Sequence, residues 1–170
     1  MPLVFAYGCL MDPAVMKAVC PGAVASAPAG DPAWAAGSLI GWKLAFPVEN
    51  DPDWGGAVAA VRRAEGERVE GVLWSVDAAG LARLDDYEDV ESQVYRRERL
   101  PVARQFGNAH WPHSVLPWVY LTFRADEHVA DSRPSPAYLA SLRRGAAYFG
   151  LSDRYRRMLD ELSHADGSSP

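Results

Sequence analysis

The feature that most constrains this chain is the order of its secondary-structure signals. From residue 33 to residue 123 short runs of β-type residues follow one another, broken by turn residues and only one helix-type stretch. Helix signals otherwise gather at the two ends, near Asp12 and after Ser135. A doubly wound sheet needs strands and helices in regular alternation, and that alternation is missing. The expected class is therefore α+β, a curled antiparallel or mixed sheet with a few helices packed on it.

Several strands and turns can be placed. Residues 33–46 carry Ile40, Trp42, Leu44 and Phe46 at even spacing, which puts them on one strand face, while Gly37 and Gly41 allow a bend or bulge. Residues 47–54 read as a polar loop. Gly55 and Gly56 open a strand through Arg63, a turn glycine follows at Gly66, and residues 69–76 return as a strand, so the pair reads as a hairpin. Residues 94–102 have two polar faces and suit an edge strand. Residues 105–112 read as a loop, and residues 115–123 form a strand that Pro117 places near an edge. Residues 20–32, rich in Ala, Pro, Gly and Ser, read as surface loop.

The helix starts are marked by caps. Asp12 with Pro13, and Ser135 with Pro136, pair an N-cap side chain with proline at the first helical position, where its missing N–H costs nothing. Asp77 and Ser152 cap two further short helices. Leu139, Leu142, Ala146 and Phe149 form an apolar stripe that Gly150 terminates. A single domain over 1–162 is expected, with 163–170 as a disordered tail.

Composition narrows the classes. A net charge of −5, with 17 basic and 22 acidic residues, disfavours nonspecific nucleic-acid binding, and the clusters Arg96, Arg97, Arg99 and Arg154, Arg156, Arg157 are expected on solvated faces. With only 2 cysteines, Cys9 and Cys20, no framework of bridges can be drawn. No leader pattern or spanning apolar segment is read, so a cytoplasmic protein that does not engage membranes is expected.

Three stretches bear on chemistry. Val4 to Leu10 reads as a strand that breaks at Gly8, leaving main-chain amides able to bind a carboxylate or an oxyanion, or else as a buried strand with a tight turn. Glu88 lies four residues beyond Leu84 and seven beyond Leu81. It is either a carboxylate on the leucine face, desolvated and shifted toward proton transfer, or a solvated member of an acidic run; Asp85, Asp86 and Asp89 are read as facing elsewhere and solvated. Cys9 with His110 or His113 is a weak nucleophile arrangement, and the same histidines match no firm zinc spacing, so they are read as surface residues.

The segments Phe5-Ala6-Tyr7-Gly8, Trp54-Gly55-Gly56, Glu70-Gly71-Val72-Leu73-Trp74, Leu84-Asp85-Asp86-Tyr87-Glu88-Asp89-Val90 and Pro134-Ser135-Pro136-Ala137-Tyr138, with Gly145-Ala146 and Gly150-Leu151-Ser152, occur in that order. Together they resemble the gamma-glutamylcyclotransferase family (AIG2-like proteins) over nearly the whole chain. The resemblance implies a curled mixed, partly barrel-like sheet with peripheral helices and cofactor-free, metal-free release of 5-oxoproline from a gamma-glutamyl amine or amino acid. It implies Glu88 as the essential acid/base. It implies a substrate cradle at Tyr7, Gly8, Cys9 and Leu10, and substrate contacts at Tyr138 and Tyr120, with Tyr95 flanking the pocket. The implied partner is a small gamma-glutamyl molecule, and a monomer or homodimer is expected. Relatives commonly carry serine and asparagine after the glycine, where this chain has Cys9 and Leu10. The alternatives are a non-catalytic small-ligand module on the same fold and, ranked last, a Cys9-dependent acyl transferase.

Overall fold

A computed structural model describes residues 1–27, 31–106, 109–123 and 130–162, the side chains of 105–106 and 109–113 excepted. The strands are β1 (Leu3–Ala6), β2 (Val24–Ala25), β3 (Ala36–Asp51), β4 (Gly56–Ser75), β5 (Tyr95–Arg99), β6 (Val102–Phe106), β7 (Ala109–Val115) and β8 (Trp118–Thr122). The helices are α1 (Pro13–Val19), α2 (Ala78–Tyr87), α3 (Pro136–Tyr148) and α4 (Asp153–Glu161), with one-turn 3-10 segments at Cys9–Met11 and Pro32–Ala35. This is the expected α+β class: a curled mixed sheet in the order β5-β8-β1-β4-β3-β6-β7, with β2 also on β4. Among the described residues only the β1–β8 pair is parallel; β1 pairs antiparallel with β4 on its other side.

The buried runs explain the layering. In β4, residues 57–61 and 69–74 are continuously buried, which requires both faces of the sheet to be covered there. The fully buried side chains Phe5, Leu39, Leu73, Leu84, Leu142 and Phe149 join β1, β3 and β4 to α2 and the end of α3 in one core. The helix caps fall on the residues read from the sequence. Asp12, Asp77, Ser135 and Ser152 each accept a hydrogen bond from an amide of the turn they open.

The ribbon β3–β4 differs from the hairpin expected over residues 56–76. Both halves of that stretch pair with β3, as a single strand, from Gly56 opposite Asp51 to Val72 opposite Ala36. The pairing steps from Ile40–Arg68 to Trp42–Arg63, so residues 64–67 bulge out opposite Gly41. Gly41 and Gly66 take left-handed φ of 83° and 78°, a region open to glycine. The bulge at Gly41 also splits the expected even-numbered face: Trp42 is buried but Ile40 is 63% exposed. Other boundaries shift too. Residues 47–51 continue β3 rather than forming a loop, since Val48 pairs with Val58. The main chain of β6 and β7 forms a hairpin where residues 105–112 were read as loop. Part of the 20–32 loop is the short strand β2. Pro117 precedes β8, which is not an edge strand but lies between β5 and β1.

Strand β5 lies at one edge of the sheet, as read. Its arginines are half-buried or stacked rather than free in solvent: Arg97 and Arg99 lie 4.9 and 4.6 Å from the Trp118 ring and Arg96 lies 4.7 Å from Phe123. Arg154, Arg156 and Arg157 on α4 are exposed. Among the described residues no helix is long and apolar enough to cross a membrane. The expected tail at 163–170 lies outside the described residues.

Candidate active site

The site starts where β1 ends. After Ala6 the chain passes Tyr7 and Gly8 into the 3-10 turn, closed by Met11 N–H to Gly8 O at 3.0 Å and Asp12 N–H to Cys9 O at 2.9 Å. Helix α3 pins this turn from behind. The Ser141 hydroxyl donates to Cys9 O at 3.3 Å, and Gly145 packs so tightly that a β-carbon there would stand 2.5 Å from the Met11 carbonyl carbon. Among the described residues the amides of Gly8 and Cys9 donate to no main-chain carbonyl. Two donors at a strand end are thus held rigidly and left without an internal acceptor.

Tyrosines from four elements close around the turn. Tyr7 donates to Tyr120 O at 2.6 Å and Tyr95 to Ala59 O at 2.8 Å. The Tyr138 oxygen receives the Ala59 amide at 2.9 Å, so its own O–H is left to donate elsewhere. The Tyr120 hydroxyl donates to Asp85 at 2.8 Å, and Asp85 is held by Arg97 at 2.9 Å. Asp85 was expected to be solvated; it is half-buried and anchors Tyr120 instead. Burial, above all, pushes the phenols of Tyr7, Tyr95 and Tyr138 well up from their ordinary range, with Glu88 adding to each, so they stay neutral.

Glu88 stands opposite the turn. Helix α2 ends at Tyr87, and Glu88 is its cap residue; its amide still reaches Leu84 O at 2.9 Å. That last bond keeps Glu88 in line with buried Leu84 and directs it to the domain interior, as the leucine-face reading requires. The side chain is half-buried and lines a cavity of about 100 Å³ together with Gly8, Cys9, Tyr120 and Tyr138. Its carboxyl is pushed up to about 8, by burial first and then by the charges of Asp51 and Asp89.

The structure therefore brings Tyr7, Gly8, Cys9, Leu10, Glu88, Tyr95, Tyr120 and Tyr138 around one cavity. Several wall residues had been given no place there. Tyr87 meets Cys9 Sγ at 3.4 Å and accepts from Trp54 Nε1 at 3.2 Å, and Trp54 packs edge-on to Tyr138 at 5.1 Å. Both sit inside segments already singled out, Trp54 before the glycine pair and Tyr87 beside Glu88, yet nothing local predicted that they touch. Burial raises the Cys9 thiol to about 12, against a smaller lowering by Tyr87, so it is protonated at neutral pH. The side chains of His110 and His113 lie outside the described residues.

A family model described as the AIG2-like family matches residues 68–159, a stretch that includes Glu88 and Tyr138. The chain is 29% identical over 113 residues to gamma-glutamylcyclotransferase from Homo sapiens, covering 66% of this chain and 55% of that protein. It is 28% identical over 109 residues to the protein of the same name from Mus musculus, covering 64% and 53%. The match thus spans about half the length of these relatives. A solved structure titled gamma-glutamyl cyclotransferase superposes with a TM-score of 0.82 at 24% identity, over 99% of this chain and 92% of that one. The latter likeness is one of fold.

Proposed function

The chain belongs to the AIG2-like, gamma-glutamylcyclotransferase family, and from that premise we propose that it releases 5-oxoproline from a small gamma-glutamyl compound without a cofactor. The observation that carries this reading is a half-buried carboxyl, Glu88, facing the same small cavity as the rigid Gly8–Cys9 amides.

The chemistry follows from the atoms present. The α-amine of the glutamyl group attacks its own γ-carbonyl, a five-membered ring closes, the amide C–N bond breaks and the amine departs. Both reactants belong to one molecule. Holding that molecule folded removes an entropic barrier worth up to about 7–11 kcal/mol in favourable intramolecular cases. Glu88, in its ionised form, takes a proton from the α-ammonium and returns one to the leaving nitrogen. The Gly8 and Cys9 amides and the Tyr138 O–H donate toward the oxygen that becomes negative as the tetrahedral carbon forms. Cys9 and Leu10 in place of serine and asparagine leave those amides intact. A protonated thiol makes a poor nucleophile, which argues against a Cys9 acyl-enzyme.

The test is Glu88→Gln, which keeps shape and removes the base. With a panel of gamma-glutamyl compounds, parent protein is expected to form 5-oxoproline and the variant to lose about 10²–10⁴-fold in rate. A folded variant working at the parent rate contradicts the role of Glu88. Thermal stabilisation by a panel compound, with no product from the parent, points to the non-catalytic module instead.

A further inference from the structure

The cyclotransferase reading leaves open which amine departs, and the cavity's charges bear on it. The ionisable wall includes the carboxylates of Asp51, Asp53, Glu88 and Asp89, and among the described residues lining the cavity there is no lysine, arginine or histidine. Glu88 has its task at the glutamyl α-ammonium. The other carboxylates lie at two short turns: Asp51 at the end of β3 and Asp53 between β3 and β4, Asp89 after α2. Asp53 and Asp89 are exposed and Asp51 is half-buried, so they form the rim rather than the floor. The rim is also rigid. Asp51 Oδ1 accepts the amides of Asp53 and Trp54, each at 3.0 Å, and Gly55 N–H returns to Asp51 O at 2.8 Å. Half-buried Trp54 and Tyr87, joined at 3.2 Å, line the same cavity with aromatic surface, a second feature that favours a cation.

Resting on that reading, we propose that the leaving group is an aliphatic diamine or polyamine, an amine that carries a further ammonium and no carboxylate. Such a group, on leaving the glutamyl carbonyl, extends its second nitrogen into the acidic rim. An amino-acid leaving group brings a carboxylate into that rim, with no lining cation to receive it. The ring-forming N–C bond and the broken amide bond are those of the proposed reaction, and the diamine departs carrying the proton returned by Glu88.

Three gamma-glutamyl conjugates of near-equal length separate the possibilities: those of diaminobutane, of butylamine and of aminobutyrate. The expected order of kcat/KM for 5-oxoproline release is cation over neutral over anion, with cation exceeding anion by about tenfold or more, given several unit charges within about a nanometre. Rising salt is expected to shrink the ratio. The double variant Asp53→Asn with Asp89→Asn is expected to bring it toward unity, since any change that losing the Asp89 charge makes at Glu88 is common to all three conjugates and cancels in the ratio. Equal kcat/KM for all three, or preference for aminobutyrate, overturns the proposal and leaves the cyclotransferase reading standing. If no conjugate yields 5-oxoproline, that reading fails and this proposal falls with it.

Discussion

The Tyr138 hydroxyl stands 2.8 Å from where a β-carbon on Gly8 would be, and the same oxygen receives the Ala59 amide at 2.9 Å. Gly8 has φ of −107°, so its need for glycine is one of space rather than of backbone conformation. Gly8→Ala is expected to push the Tyr138 ring aside, break the bond to Ala59 and displace the turn amides. Displacements of about 1 Å at reacting groups cost on the order of 10²-fold in rate. Adding Tyr138→Phe relieves the clash, so the double variant is expected to recover part of the stability lost, by about 1 kcal/mol or more of coupling in denaturant melts. Additive effects would contradict the contact.

The proposed role of Glu88 as base ties activity to pH in a definite direction. Its carboxyl is raised to about 8, so the base form appears only as pH climbs through that value, and kcat/KM should rise from pH 6 to pH 9. A flat profile would contradict Glu88 as base.

The same shift has a stability consequence. The folded state holds the Glu88 proton up to about 8, against an ordinary value of 4.5. This group's contribution is therefore fully present below pH 4.5 and is lost as pH rises through 8. Glu88→Gln removes the dependence, and its Tm is expected to gain on the parent's across that window. Parallel melting curves at pH 5 and pH 9 would be the contrary result.

Cys9 is buried and its thiol lies near 12, so little thiolate exists at neutral pH. Cys9→Ser is expected to keep activity within about threefold, because in the proposed mechanism the amides rather than the side chain serve the substrate. Iodoacetamide on the native protein should label Cys9 slowly. Rapid stoichiometric labelling with loss of activity would restore the thiol mechanism.

Stability and catalysis separate at Glu70. This carboxylate, 1% exposed, accepts the Ser152 amide at 2.8 Å and its hydroxyl at 2.6 Å, joining β4 to the start of α4. Ser152 also caps α4 through Tyr155 N–H at 3.2 Å. Ser152→Ala removes both side-chain bonds and is expected to cost about 1.5–3 kcal/mol in denaturant melts, with KM unchanged. A change in KM at unchanged stability would place this link in the site.

What was legible in the sequence was what local chemistry decides. Asp12 and Ser135 announce helix starts because their side chains meet amides two or three residues away, and Glu88 follows Leu84 by one helical turn. What was hidden depends on distant partners. Gly66 marks a turn in any local reading, but pairing with β3 on both sides of it makes one strand. Asp85 belongs to an acidic run by spacing, and only Arg97 and Tyr120, brought by β5 and β8, draw it inward. Residues 47–51 looked like loop because of Pro47 and their polar composition, although β4 supplies the partners that extend them. Of the candidate site, the Glu88 position and the Gly8 turn could be named in advance; the Trp54–Tyr87–Cys9 wall could not, since three separate elements meet there.

The excursion at 64–67 separates two jobs along the β3–β4 ribbon. On one side the ribbon carries Val58 and Ala59 to the cavity; on the other it carries Glu70 to α4 and Val72 to β1. Residues 65–67 are exposed, and a side chain at Gly66 would meet nothing within 4 Å. The ribbon thereby has a place where chain length can change, by an inserted tag or a longer loop, without shifting the register of either half.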